Sequence, residues 1–256
     1  MKKNKKKFRC VILVLGSNNN AIYRNARKIW QAYGNIDSEI RTFIVYGKTD
    51  NKIDNLNQFD LVYDDIEENY NPGMLQKTIR AMEHIDANYE YDFFIRTNIS
   101  TFWDFTILKR NLFNLPTSKC YSGDGPLTTS GYDSENGYYL SGTDTIVTAE
   151  SVKAIIKNKK FLDYKIPEDA AMGLFFNGVL KCPFIKSQIF FMEKFNLGNN
   201  IFDLFEKFRI IVSIWYARKK MKDHYRVKTR TSNRETTDMF IYKQLLKYVY
   251  QIKGIT

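Results

Sequence analysis

The chain of 256 residues is 44% hydrophobic and 15% aromatic, so it is too apolar to be disordered and long enough for one large domain or two small ones. Three widely spaced cysteines, Cys10, Cys120 and Cys182, form no Cys-x-x-Cys pair, which argues against a disulfide scaffold and a zinc site and favours a reducing compartment. The net charge of +11 comes from six basic residues among the first nine and a net +9 in residues 205–256, while the body between is slightly acidic; this distribution favours an anionic cosubstrate or a membrane surface over nucleic acid.

Residues 1–9 are predicted to form a basic flexible tail, because Lys and Arg dominate them. The apolar stretch at 10–15 is only six residues long, too short for the core of a signal peptide or for a membrane span. It is therefore predicted to be the first strand of a single domain over residues 10–256. Since no other segment is long and apolar enough to span a bilayer, we expect a cytoplasmic protein, soluble or associated with a membrane surface.

Strands and helices alternate through about residue 115, which is typical of an α/β domain with a mostly parallel central sheet. The ligand of such a domain is expected at the carboxyl ends of its strands. Short apolar or β-branched runs predict strands at 10–15, 40–47, 59–66 and 91–97, and helical spacing predicts helices at 21–34, 73–85 and 105–115.

Residues 117–145 are rich in Ser, Thr, Gly and Tyr and predict a long loop, and loops of this length are usually functional. A basic amphipathic helix is predicted at 202–221, which would either pack on the core or contact a membrane surface. The remaining predicted elements are a helix at 149–158, a segment at 165–179, a strand at 182–192, a short element at 223–229 and a closing helix at 236–252.

Common catalytic signatures are missing from the sequence. There is no Gly-x-Gly-x-x-Gly after the first strand, no phosphate loop of the NTPase type and no Gly-x-Ser-x-Gly. What the sequence does contain is a series of shorter motifs, in the order RNARKIW, DDIEENYNPGMLQKT, IRTNIST, GYYLSGTDTIVTAESV and EDAAMG.

In that order these motifs are similar to those of GT-A glycosyltransferases, in particular the β-1,3-galactosyltransferase and fringe group of family 31. Each motif is weak alone, but together they extend over roughly residues 10–185. The resemblance implies a single GT-A-like, Rossmann-like domain with a nucleotide-sugar half at 10–115 and an acceptor half at 116–256.

The resemblance also implies a reaction, the inverting transfer of a sugar from a nucleotide sugar, expected to be UDP-linked, to a hydroxyl of a glycan, glycoprotein or glycolipid. It assigns Asp169 as the general base, with Glu168 as the second candidate, and places Tyr138, Tyr139 and Gly142 on the acceptor side. The residues expected to contact the nucleotide are Gly16, Arg24, Arg27, Lys77, Arg96, Thr97 and Asn98, together with Arg226 and Lys228 from the basic carboxyl-terminal section.

The strand at 91–97 ends where the family has an Asp-x-Asp motif that binds a divalent cation, and here Asn98 and Ser100 stand at those positions. A neutral amide and a hydroxyl are weak ligands for Mg²⁺ or Mn²⁺. Either His224 completes a weak metal site with them, or basic side chains replace the metal.

Several alternatives remain open at this level. The carboxylates of Glu168 and Asp169 also suit the first turn of a helix, where the helix dipole stabilises them, and His224 also suits a stacked or surface position. The chain as a whole could be a catalytically inactive carbohydrate- or nucleotide-binding relic, or a basic nucleic-acid-binding protein.

Overall fold

The computed structural model of the protein describes residues 5–49, 53–128, 138–198 and 203–253. The helices in these ranges are α1 (Ala21–Tyr33), α2 (Gly73–Asn88), α3 (Phe105–Phe113), α4 (Ala149–Lys157), α5 (Glu168–Gly173), α6 (Asp203–Lys219) and α7 (Arg234–Tyr250). The strands are β1 (Lys6–Leu15), β2 (Ile40–Lys48), β3 (Asp60–Glu67), β4 (Tyr89–Asn98), β5 (Thr101–Trp103), β6 (Tyr121–Gly123), β7 (Leu127–Thr128), β8 (Tyr138–Tyr139), β9 (Asp144–Thr148), β10 (Phe184–Lys186), β11 (Ile189–Phe191) and β12 (His224–Arg226).

The chain divides into two compact units, each assembled from three separate segments. Unit 1 comprises Met1–Asn18, Asp37–Asn98 and Leu115–Ser187, and unit 2 comprises Asn19–Ile36, Ile99–Asn114 and Gln188–Thr256. Each unit therefore takes residues from both of the sequential halves that the sequence suggested. The assignment of residues 10–256 to a single domain stays a prediction.

Unit 1 is built on a seven-stranded sheet with the strand order β10-β6-β9-β4-β1-β2-β3. β1 is parallel to its neighbours β2 and β4, β2 is parallel to β3, and β6 is parallel to β10. Only β9 runs antiparallel to both of its neighbours within this sheet. The predicted α/β class with a mostly parallel central sheet is thus confirmed.

Strand β1 begins earlier than its apolar run suggested. Lys6 pairs with Tyr89 of β4, and Phe8, which is buried, pairs with Tyr91. Residues 6–9 therefore belong to the sheet rather than to a flexible tail, because β4 is long enough to give their backbone groups partners. Residues 1–4 lie outside the described part of the chain.

Helices α2 and α4 cover one face of this sheet. The side chains of β1 that point to this face alternate along the strand at Val11, Leu13 and Leu15, as the pleat requires. The apolar stripe that predicted α2 is buried in the same core, at Leu75, Ile79, Met82 and Ile85. The apolar stripe of α2 and the inward-facing side chains of β1 thus pack together in one layer. This packing holds α2 over the parallel strands.

Unit 2 contains α1, α3, α6 and α7 together with the small sheet β11-β12-β5. Its centre is aromatic: the ring of Tyr33 lies 4.4 Å from that of Phe102 and 5.1 Å from that of Tyr250, measured between centroids. The Tyr250 hydroxyl accepts a hydrogen bond from the Phe105 backbone N–H at 2.9 Å. The amino end of α3 is thereby fixed to the end of α7.

Some elements depart from the sequence prediction. The loop predicted at 117–145 contains β6, β7, β8 and the start of β9, and its residues 129–137 lie outside the described part of the chain. The strand predicted at 182–192 is two strands, β10 and β11, because Ser187 N–H bonds to Gly123 in unit 1 while the Gln188 carbonyl bonds to Asp223 N–H in unit 2. None of the described helices is long and apolar enough to cross a membrane.

Candidate functional site

The carboxyl ends of β1 and β4 meet at one edge of the unit 1 sheet. Leu15 at the end of β1 is in register with Asn98 at the end of β4, so the following Gly16 lies at the same edge. A Cβ on Gly16 would lie 2.5 Å from the ring of Tyr46, so only glycine fits there. Ligands of parallel α/β sheets bind at such an edge.

Lys77 connects α2 to this edge from inside the protein. Its Nζ donates to the Gly16 carbonyl at 3.1 Å and pairs with Glu68, whose other oxygen accepts from the Gly47 N–H at 2.7 Å. Burial lowers the pKa of Lys77, and the charge of Glu68 acts in the opposite direction. Lys77 was predicted to contact the nucleotide, but its ammonium is buried and engaged with these groups.

Arg96 of β4 and Glu168 of α5 form a buried, bidentate ion pair. Arg96 Nε donates to Glu168 Oε1 at 2.9 Å, and Nη2 donates to Oε2. Burial raises the pKa of Glu168, while the guanidinium of Arg96 opposes that shift. Since the Glu168 carboxylate is enclosed and occupied by Arg96, its geometry suits positioning better than proton transfer with a substrate.

Gly142 joins this ion pair to Asp169. The Gly142 carbonyl accepts a hydrogen bond from Arg96 Nη1, and its N–H donates to Asp169 Oδ2 at 3.1 Å. A Cβ on Gly142 would lie 2.7 Å from Arg96 Nη1. We call Arg96, Gly142, Glu168 and Asp169 the Arg96 cluster. Within it, Asp169 is the carboxylate that remains half-buried, whereas Glu168 is enclosed.

The predicted acceptor-side tyrosines lie on β8, which packs against α5. A Cβ on Gly173, at the end of α5, would lie 2.3 Å from Cβ of Tyr139, so the absence of a side chain allows this close approach. Tyr138 and Tyr139 are both half-buried. The structure thus places the two tyrosines beside the helix that carries Asp169.

The remaining predicted site residues belong to unit 2. Arg24 and Arg27 lie on α1, where Arg24 is exposed and Arg27 is buried. Arg226 is half-buried at the end of β12, and Lys228 is exposed just beyond it. Gly16, Lys77, Arg96, Thr97 and Asn98 belong to unit 1. A single nucleotide site made from all of these residues stays a prediction.

Two of the three residues predicted to hold a divalent cation, Asn98 and His224, have other hydrogen-bond partners in the structure, and a metal site that includes Ser100 stays a prediction. Asn98 Oδ1 accepts a hydrogen bond from Arg96 Nη1 at 3.2 Å, so a cation at this oxygen would face a guanidinium. His224, in unit 2, is fully buried and its Nδ1 lies 2.6 Å from Asp223 Oδ1. In the described ranges no three His, Cys, Asp or Glu side chains are grouped to hold a metal ion.

Glu68, which pairs with Lys77 at this edge, is a residue of this region that was not predicted from the sequence. It follows β3 in the acidic run DDIEEN, where any of four acidic residues could have been chosen. No local signal distinguished Glu68 from these neighbours, because its pairing with Lys77 depends on how α2 packs against β3.

Comparisons with known proteins give a limited result. No protein-family model matches the chain, and no curated protein matches it. Among solved structures, one that matches is a glycosyltransferase involved in the glycosylation of the major capsid of PBCV-1. The alignment covers 91% of this chain and 98% of that chain, with 9% identity and a TM-score of 0.41.

Proposed function

We propose that the protein is a glycosyltransferase that moves a sugar from a nucleotide sugar, expected to be UDP-linked, to a hydroxyl acceptor with inversion at the anomeric carbon. The observation that carries this proposal is the position of Asp169: a half-buried carboxylate, held by the Gly142 N–H and placed beside the tyrosines of β8. The order of motifs along the sequence supports the same reaction.

Asp169 acts as the general base in the proposed mechanism. Its Oδ2 accepts from Gly142 and its Oδ1 accepts from the Ala170 N–H at 3.0 Å. Each carboxylate oxygen offers about two lone pairs, so both can still accept a proton. As the acceptor hydroxyl attacks the anomeric carbon, its proton passes to Asp169 and the bond to the diphosphate breaks on the opposite face.

Arg96 and Glu168 are positioning residues in this mechanism. Their ion pair holds the Gly142 carbonyl through Arg96 Nη1, and Gly142 in turn orients the carboxylate of Asp169. Catalytic groups must be held close to their productive geometry by neighbours that are themselves fixed. The pair therefore fixes the base without touching the substrate.

The nucleotide is proposed to lie at the edge formed by Gly16 and Asn98. No step of this mechanism runs through a metal ion, since the Asn98 amide oxygen accepts a hydrogen bond from Arg96.

A donor panel tests the proposal directly. The purified protein is incubated with UDP-glucose, UDP-galactose, UDP-N-acetylglucosamine and UDP-N-acetylgalactosamine, and UDP release is measured with and without simple sugar acceptors. We expect release with at least one donor, and a product with inverted anomeric configuration by NMR. UDP binding without release for every donor would favour the inactive relic, and salt-sensitive DNA binding without UDP binding would favour a nucleic-acid-binding protein.

A further inference from the structure

Helix α6 in unit 2 presents apolar side chains to solvent along one face. Leu204 is 78% exposed, Phe208 63% and Trp215 64%. At about 100° per residue, the exposed residues of this face fall within an arc of about 120°. We call this face the α6 stripe, and it consists of Leu204, Phe205, Phe208, Val212, Trp215, Tyr216 and Lys219.

The opposite face of α6 packs on unit 2. Ile210, Ile214 and Ala217 are buried and follow one another at helical spacing. The helix is thus anchored by one apolar face and leaves a second apolar face outside. The water-exposed surface of a protein rarely carries so large a continuous apolar patch unless the patch binds a partner molecule or a membrane.

The charges around the α6 stripe favour an anionic partner. Lys219 lies 5.4 Å from the centre of the Trp215 ring, and Lys220 lies 5.8 Å from that of Tyr216. Both acidic residues of the helix lie outside the arc: Asp203 accepts a hydrogen bond from the Gly198 N–H, and Glu206 pairs with Arg209. The stripe itself carries no negative charge.

We propose that the α6 stripe binds the surface of an anionic phospholipid membrane, with α6 lying in the plane of the interface. Trp, Phe and Leu side chains beside Lys and Arg are the composition of helices that insert one face at the boundary between headgroups and acyl chains. The lysines near the carboxyl end of α6 would contact the lipid phosphates. The apolar stripe would enter the boundary to about 5–10 Å.

Vesicle binding of the whole protein tests this proposal. We use vesicles of phosphatidylcholine with about one third phosphatidylserine, and vesicles of phosphatidylcholine alone. Trp30 and Trp103 are buried, so Trp215 is the tryptophan whose fluorescence can respond to lipid. We expect co-sedimentation and a blue shift with the anionic vesicles, and far weaker binding to the neutral ones.

Three variants, all at exposed positions, define the binding surface. Phe205→Ser/Phe208→Ser removes part of the stripe and keeps Trp215 as the reporter, and it should abolish the blue shift. Lys219→Gln/Lys220→Gln should lower the partition coefficient about 25-fold, because each cation near the surface contributes about fivefold. The matched control, Phe113→Ser/Phe161→Ser, removes two aromatic rings that are even more exposed, from other surfaces, and should bind as the native chain does.

The proposal is overturned if the native chain does not bind anionic vesicles. It is also overturned if the stripe variant binds them as tightly as the control variant does. It is also overturned if light scattering without lipid shows a dimer that the stripe variant converts to a monomer, because the stripe would then bind a second copy of this chain. These experiments measure binding alone, so their outcome is independent of the transferase assay.

Discussion

Arg96 and Glu168, 72 residues apart in sequence, meet in a two-point contact inside unit 1, with Arg96 Nε 2.9 Å from Glu168 Oε1. Their side chains are only 3% and 1% exposed. Neither charge could be buried at this depth without the other. The pair therefore ties the end of β4 to the start of α5, the helix that carries Asp169.

Removing one member of this pair should destabilise the fold. Arg96→Met leaves the Glu168 carboxylate buried without its cation, and such a change costs about 3–5 kcal/mol. The double variant Arg96→Met/Glu168→Leu should recover much of that loss, because neither charge remains. Urea unfolding of the native chain, both single variants and the double variant gives the coupling free energy. Arg80→Met, which breaks an exposed pair with Asp65 in the same unit, serves as the control; a loss in Arg96→Met no greater than in this control would contradict the buried pair.

Asp169→Asn should abolish transfer while leaving nucleotide affinity nearly intact. The amide cannot take the proton of the acceptor, and a general base typically contributes about 10²–10⁴-fold to the rate. Turnover at saturating donor and acceptor is compared with UDP affinity from calorimetry. Asp163→Asn changes an exposed aspartate of unit 1 and should leave both values unchanged. Native turnover in Asp169→Asn would remove Asp169 as the base.

Gly142→Ala should disturb the Arg96 cluster through a single methyl group. The new Cβ would lie 2.7 Å from Arg96 Nη1 and 3.3 Å from Asp169 Oδ2, and overpacking of this kind costs about 1–3 kcal/mol. We expect lower turnover as well, since Asp169 would lose its orientation. Gly178→Ala is the matched control, because its Cβ would meet nothing within 4 Å. Equal melting temperatures for the two variants would argue against a tightly packed cluster.

Chelation of metal should have little effect on this protein. The Asn98 amide oxygen faces Arg96, and affinity for hard cations follows the number of charged oxygen ligands. We therefore expect UDP affinity and turnover to persist in EDTA, and calorimetry to detect no stoichiometric Mn²⁺ binding without nucleotide. Asn98→Asp adds a carboxylate at the same position and should raise Mn²⁺ affinity. Tight binding of Mn²⁺ by the native chain alone would reveal carboxylate ligands other than these.

The three cysteines should be unreactive in the folded protein. Cys10, Cys120 and Cys182 are buried and unbridged, and burial raises the pKa of Cys120 to about 12. The thiolate is the reactive form, and at pH 8 roughly one Cys120 in 10⁴ would carry it. Ellman's reagent should therefore react only slowly with the thiols of the native chain. After unfolding it should react rapidly with all three. A fast-reacting thiol before unfolding would show that one of these cysteines is accessible.

The sequence predicted the elements whose signal is local. Helix α2 was found because its apolar residues recur with the helical period, and strand β1 was found because its apolar run is short and ends at a glycine; neither signal needs knowledge of distant partners. Strand β9 was missed because it is short and begins within the predicted polar loop. Its place between β4 and β6 depends on pairs such as Phe94 with Val147, which are far apart in sequence.

The candidate site was only partly predictable for the same reason. The order of motifs predicted Arg96, Glu168 and Asp169 as site residues, and the structure places all three in one cluster. The sequence could not tell that the guanidinium of Arg96 would be occupied by Glu168, since side chains 72 residues apart meet only through tertiary packing. Glu68 was likewise hidden among its acidic neighbours.

The interleaving of the two units has a consequence for synthesis of the chain on the ribosome. Helix α1 leaves the ribosome well before α7, on which it packs, and Asn25 bonds to Glu235, 210 residues later. At about 5–20 residues per second, α1 must wait roughly 10–40 s for that partner. During this interval its large apolar residues Ile29, Trp30 and Tyr33, all buried in the finished protein, have no native cover from α7. The nascent chain therefore carries a transient binding site for chaperones at helix α1.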